Sequence, residues 1–139
     1  YMGTINSTRL DGELLYQIIS QRPDYSFVFT GPEDDIFRRN RIHSLKNAYF
    51  TGQKKVDELP AYIAAYDVCI NPQMVNEITD GNYPLKIDEY LAMGKPTVAT
   101  STHTMRNIFA GHTHLAINPE EWLAAIDRAV TTKNWPNSA

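Results

Sequence analysis

Short apolar runs alternate with longer amphipathic stretches along the whole 139-residue sequence, and this alternation is the feature that most narrows the folds open to it. It is the pattern of repeated βαβ units, in which buried strands read as continuous apolar runs and the helices between them as 3.6-residue stripes. Strands are predicted at Tyr1 to Ile5, Tyr25 to Thr30, Asn47 to Thr51, Asp67 to Asn71, Pro96 to Thr100 and His114 to Ile117. Between them, helices are predicted at Gly12 to Ser20, Asp34 to Ser44, Val56 to Tyr66 (with Pro60 in its first turn), Pro84 to Met93 and Pro119 to Val130, the last with Trp122, Ile126 and Val130 in register. Strand–helix–strand crossovers are right-handed almost without exception. The expectation is therefore an α/β fold with a doubly wound, mostly parallel, six-stranded sheet. Ligands bind such sheets beyond the carboxyl ends of the strands. That directs attention to Gly3 to Arg9, Gly31, Gly52 and Gln53, Asn71 to Lys86, and Thr100 to His103.

The length suits one domain, residues 1–139, with its own core. A formal net charge of −3 argues against nucleic acid as a partner, because backbone phosphates need a clustered basic face. The Arg38-Arg39-Asn40-Arg41 cluster follows Glu33, Asp34 and Asp35 and reads as a solvated face of paired charges. The single cysteine, Cys69, lies in an apolar run and reads as a buried small side chain in a cytoplasmic protein. No apolar stretch approaches the roughly 18 residues of a membrane span. Because Tyr1 to Ile5 reads as a strand already under way, we expect a domain separated from a partner half.

The most informative segment runs from Asn82 to Thr100. Pro84 is placed to be the first helical residue, leaving the backbone N–H groups of Leu85 and Lys86 free to bind an anion, with the helix dipole and the Lys86 charge beside them. A diphosphate fits that chemistry. Glu89 lies three residues from Lys86 on the same helix face and could accept hydrogen bonds from the vicinal hydroxyls of a ribose; the spacing alone fits a surface Lys–Glu pair better. The Pro72 to Tyr83 connection is longer than usual, and its Asn76 to Gly81 portion could equally be a sugar-contacting segment or an ordinary polar loop. Gly3-Thr4-Ile5-Asn6 lacks the G-x-G-x-x-G pattern of a dinucleotide site. His112 and His114 share a strand face without a third ligand at matching spacing, so no metal site is expected; His103 is the one histidine placed near the carboxyl edge. Asp34 and Asp35 read as helix-start acids. A phosphoacceptor receiver domain would need an Asp ending the third strand and Lys-Pro after the fifth; here Tyr49-Phe50-Thr51 ends the third and Lys95-Pro96 precedes the fifth.

Pro84-Leu-Lys-Ile-Asp-Glu-Tyr-Leu-Ala-Met-Gly-Lys-Pro-Thr-Val-Ala resembles the donor-site signature of family-4-type, retaining GT-B glycosyltransferases, in the branch written P-x-K-x-x-E-Y-L-A-x-G-K-P. Pro23 to Phe29 with Gly31-Pro32, Phe50-Thr51-Gly52, and Glu58 to Tyr62 before Asp67-Val68-Cys69 extend the similarity over nearly the whole chain. The resemblance implies a Rossmann-like, donor-binding half of a GT-B fold. It implies that Glu89 holds the ribose, that Pro84, Leu85 and Lys86 face the diphosphate, and that the Gly52-Gln53 turn lies near the base. Gly3, Thr4 and Thr79 complete the expected nucleotide-sugar set, with Lys86, Arg9 and Glu77 as catalytic candidates and no protein nucleophile assigned. The pattern departs at two places. The acidic residue expected eight positions before Glu89 is Gly81, with Glu77 on the same loop; the basic pair expected after the first strand is Thr4 and, nearby, Arg9. The expected partner is a nucleotide-sugar donor, without metal or other cofactor. Acceptor contacts, and any peripheral membrane association, are expected from an N-terminal half outside this chain. A sugar-nucleotide epimerase and a non-catalytic binding module remain the alternatives.

Overall fold

A computed structural model describes residues 1–132. The elements follow in the order α1 (Gly12–Ser20), β1 (Phe27–Thr30), α2 (Asp35–Arg38), β2 (Ala48–Gly52), α3 (Leu59–Ala65), β3 (Cys69–Asn71), α4 (Glu77–Asp80), α5 (Leu85–Ala92), β4 (Thr97–Thr100), α6 (His103–Ile108), β5 (His114–Ala116) and α7 (Pro119–Thr131), with single 3₁₀ turns at Arg41–Ser44 and Val56–Glu58. Every strand pair is parallel, as βαβ connections require.

The single six-stranded sheet is not formed. The strands divide into β1-β2 and β3-β4-β5, and Tyr1 to Ile5 runs between them, bonded to one side. Tyr1 and Gly3 exchange backbone hydrogen bonds with Thr30, and Ile5 bonds to Pro32 and Asp34. On the other side the Met2 N–H is taken by the Tyr90 hydroxyl at 3.0 Å, so it does not pair with a carbonyl of β3. A cleft of about 380 Å³ between the sheets, lined by Tyr1, Ser26, Val28, Asp67, Val68 and Val130 among others, opens at the amino ends of β1 and β3, away from the carboxyl edge.

Helices cover both faces, so the doubly wound character holds. Leu14, Leu15, Ile18 and Ile19 of α1 and Trp122, Ala125, Ile126 and Ala129 of α7 share a core with Phe27, Phe29, Ile70 and Val98. Ile63 of α3, Ile87, Tyr90 and Leu91 of α5 and Met105 of α6 pack with Cys69 and Ala99 on the opposite face. Strand alternation sends Ile70 to one core and Cys69 to the other. Burial pushes the Cys69 thiol up to about 12.

Several predicted boundaries move for local reasons. The helix predicted over Asp34 to Ser44 breaks at Arg39, and the Asn40 side chain caps the 3₁₀ turn that follows by accepting from the Ile42 N–H. In this region Arg38 pairs with Asp35 at 2.8 Å and Arg41 with Glu13 at 2.7 Å, both pairs exposed. Tyr25 closes a turn onto Arg22 instead of joining β1. Asn47 fixes that turn, its amide donating to the carbonyls of Ile19, Arg22 and Tyr25. Val130, predicted in register on α7, is 44% exposed.

Candidate functional site

Two close approaches shape the carboxyl edge. Gly31, at φ +150°, passes so near Gly3 that a Cβ on it would lie 1.9 Å from the Gly3 carbonyl oxygen. Gly3 itself sits at φ +131°, a region side chains avoid, and a Cβ there would lie 2.8 Å from the Lys86 Nζ. The bare Gly3 backbone thus leaves the corridor through which Lys86 crosses from α5 to the Tyr1 hydroxyl, 2.6 Å away. Its ammonium also stands 4.3 Å from the Tyr1 ring centre, and the Tyr1 hydroxyl donates to the Thr4 carbonyl.

Around that corridor lies a cleft of about 360 Å³. Met2, Gly3 and Thr4 form its floor, Thr30, Gly31 and Pro32 continue it at the end of β1, and Gln53, Lys54, Val56 and Leu59 form the wall beyond β2. Lys86 and Glu89 of α5 close it. Gly3, Thr4, Gln53, Lys86 and Glu89 are therefore brought together as neighbours of one cleft. Gly52 stands beside it, at φ +77°, its carbonyl accepting from the Gly31 N–H.

Pro84 is the residue before α5, not its first helical residue: at ψ 94° it occupies the N-cap, the Ile87 N–H bonds to its carbonyl at 3.0 Å, and helical geometry begins at Leu85. The consequence for the donors is the same. Proline has no capping side chain, and no described residue accepts from the N–H groups of Leu85 or Lys86. An uncapped helix start with two idle donors is a ready anion site. The Leu85 side chain points away from the interior, 71% exposed, so it is the Leu85 backbone that bears on such a site.

Electrostatics single out Lys86. Its pKa is drawn down to about 8, chiefly by burial and then by the neighbouring Arg9 charge, against the pull of Glu89. Arg9 is exposed and close enough to act on both Lys86 and Tyr1. Two cations thus bear on one edge of the molecule, partly balanced by the Glu89 carboxylate.

Other predicted residues lie elsewhere. Thr79 is fully buried and spends its hydroxyl on its own segment, donating to the Met74 carbonyl and accepting from the Asn76 N–H. Glu77 is exposed in the first turn of α4 and Gly81 is the residue that ends it; neither lines the cleft. His103 begins α6 and pairs with Asn107 at 3.0 Å. The Asp80 carboxylate accepts from the His103 N–H at 2.8 Å, tying the long connection to α6. Asp34 caps α2 and holds Ser7 through both its N–H and its hydroxyl. Among the described residues, no group of three or more His, Cys, Asp or Glu side chains could hold a metal ion. Nor does any described helix have the length and apolarity to cross a membrane.

Sequence reasoning missed Tyr1, Lys54, Val56 and Leu59 as neighbours of the site. Tyr1 is 85 residues from Lys86, so no local pattern could have joined them. The other three follow Gln53 closely, and the signal was the predicted turn itself, had its surroundings been extended toward the next helix.

A parallel α/β domain with helices on both faces, whose carboxyl-edge cleft joins a glycine-lined floor to Lys86 and Glu89 of α5, has a Rossmann-like architecture. Comparison with known proteins makes this specific: residues 12–132 match the family Glycosyl transferases group 1, and the chain belongs to that family as a GT-B glycosyltransferase domain. Over 128 residues it is 28% identical to the putative teichuronic acid biosynthesis glycosyltransferase TuaH of Bacillus subtilis (strain 168), an alignment covering 88% of this chain and 32% of that protein. The chain therefore spans about a third of that relative's length.

Proposed function

We propose that this chain is the donor-binding half of a retaining glycosyltransferase that moves a sugar from a nucleoside diphosphate sugar onto a glycan acceptor. The observation carrying this reading is the convergence, on one cleft at the carboxyl edge, of the Gly3 corridor, the Lys86 ammonium and the Glu89 carboxylate, with the uncapped start of α5 immediately before Lys86 in the chain.

Each group has a task matched to its chemistry. The Leu85 and Lys86 N–H groups and the Lys86 ammonium bind the diphosphate and stabilise the charge that develops on it as the glycosidic bond breaks, the kind of interaction that dominates such sites. Arg9 adds to the positive potential at the same edge. Glu89, whose carboxylate forms no ion pair with any described residue, takes the ribose hydroxyls, and the backbone around Gly52 and Gln53 borders the base. Glu77 stays outside the cleft and has no assigned step. The donor's own phosphate assists transfer with retention, and no metal is required. Acceptor contacts, and any attachment to a membrane surface, come from a further, N-terminal half. The name of the Bacillus relative supports an acceptor in cell-envelope polysaccharide synthesis.

Calorimetric titration of the 139-residue chain with UDP, GDP and ADP, repeated on Glu89→Ala, tests the reading. One of the three should bind. Removing a charged hydrogen-bond acceptor worth about 1.5–3 kcal/mol should weaken that binding by roughly ten- to a hundredfold, and the variant should no longer distinguish the nucleotide from its 2′-deoxy form. Binding of none of the three, or equal binding by the variant, would refute the assignment.

A further inference from the structure

β3 ends at Asn71, which is 1% exposed. Neither its amide nitrogen nor its amide oxygen has a hydrogen-bond partner among the described residues. A buried amide idle at both ends carries the desolvation cost of two polar atoms with nothing in return. Leucine has nearly the same branched shape without that cost. Thr100, at the end of β4, also has an idle buried hydroxyl, but alternation puts it on the other face, toward α7.

Asn71 lies on the site's side of the sheet. It shares a face with Cys69 and is in register with Ala99, the face packed by Ile87, Tyr90 and Leu91 of α5. As the last residue of its strand it stands at the carboxyl edge, the edge at which α5 presents Lys86. The chain beyond it is tied to the Arg9 segment, through Asp11 N–H to the Pro72 carbonyl at 3.0 Å and Met74 N–H to the Arg9 carbonyl at 2.7 Å. The chain that leaves Asn71 thus runs beside the segment carrying Arg9. The connection from Pro72 to Tyr83 follows it directly, and Met74, Val75, Ile78 and Tyr83 of that connection are exposed instead of packed into the core. Lifting that connection therefore sacrifices little apolar burial.

An amide both donates and accepts. A phosphate at neutral pH mainly accepts, whereas a sugar hydroxyl does both. We propose that Asn71 is a specificity-determining residue whose amide hydrogen-bonds hydroxyls of the donor's sugar, reached as the sugar displaces the Pro72 to Tyr83 connection. This rests on the nucleotide-sugar reading above and extends it to the sugar.

The test titrates the wild-type chain, Asn71→Leu and Asn71→Ala with UDP and UDP-glucose, GDP and GDP-mannose, and ADP and ADP-glucose, and records thermal midpoints. Asn71→Leu should melt at or above the wild-type temperature and bind the bare diphosphate unchanged. Both variants should lose about tenfold in affinity for the sugar nucleotide, one good hydrogen bond. A marked loss of stability, or failure to fold, in both variants would overturn the inference by making the amide structural. So would unchanged affinity for the sugar nucleotide, or a wild-type chain that binds bare and sugar-bearing nucleotides equally; in both cases diphosphate binding would survive, and with it the broader reading. Absence of binding by any of the six compounds would instead sink the broader reading itself.

Discussion

On the function proposed above, Lys86 should make the affinity for a diphosphate depend on pH in a range where nucleotide phosphates have already finished titrating. Its ammonium is held near pKa 8 in the unliganded cleft, chiefly by burial. At pH 9 it is then about nine-tenths neutral. A diphosphate bound against it favours the charged form and should return the group toward its ordinary value of 10.5, so binding above pH 8 must be accompanied by proton uptake. The factor follows directly: affinity at pH 9 should be roughly tenfold below its plateau near pH 7, about 1.4 kcal/mol, with half a proton taken up per nucleotide near pH 8. Titration calorimetry between pH 7 and 9.5, in buffers of different ionisation enthalpy, measures both quantities. Lys86→Arg, whose charge does not titrate here, should flatten the profile. The same depression acts on the free chain. Between pH 8 and 10.5 the unfolded chain binds the extra proton, so the wild type should gain up to about 3 kcal/mol of stability relative to Lys86→Met as pH rises through that window. An affinity that stays level from pH 7 to 9, with no buffer-dependent heat, would refute the account of a buried, depressed lysine facing the phosphates.

Other outcomes follow from packing. Gly31→Ala should cost roughly 3–5 kcal/mol, since its Cβ would meet the Gly3 carbonyl at 1.9 Å; a chemical denaturation midpoint near wild type would contradict the close approach. Asn47→Ala removes three hydrogen bonds and leaves the Tyr25 carbonyl without its donor, and should destabilise the chain by about 1–3 kcal/mol, read in the same experiment. The Cys69 thiol, buried and pushed up to about 12, should react with a disulfide reagent at pH 8 only as fast as the chain unfolds.

The long helices were legible because their periodicity is strong: Leu14, Leu15, Ile18 and Ile19, or Trp122 and Ile126, can be buried together in only one way. The parallel α/β class followed from the same signal. The short helices α4 and α6 escaped it, since four and six residues are too few to display a stripe. Their caps were nonetheless in the sequence, Asn76 accepting from Ile78 and Thr79 and Thr102 from Met105. The division of the sheet was not legible. It turns on the Tyr90 hydroxyl taking the Met2 N–H across 88 residues, and an apolar run does not say whether its neighbour is a strand or a side chain.

The two departures from the family pattern bear on how the site balances its charge. With Gly81 where an acid is expected, the acids of that connection are Glu77, exposed to solvent, and Asp80, engaged with the His103 N–H, while Asp88 in the first turn of α5 accepts from the Tyr83 hydroxyl. With Thr4 where a base is expected, positive charge comes from Lys86 and Arg9, which repel one another, and from Lys54 on the cleft wall. The unliganded edge therefore holds an unfavourable cation pair that only Glu89 offsets, and Arg9 is exposed enough for salt to screen its share. A dianion arriving between them converts repulsion into two attractions. Its affinity should thus be less sensitive to salt through Lys86, which is buried, than through Arg9. Measured between 0.05 and 0.5 M salt, Arg9→Ala should weaken nucleotide binding chiefly at the low end, whereas Lys86→Ala should weaken it throughout; an equal salt dependence of the two losses would show that Arg9 is as deeply engaged as Lys86.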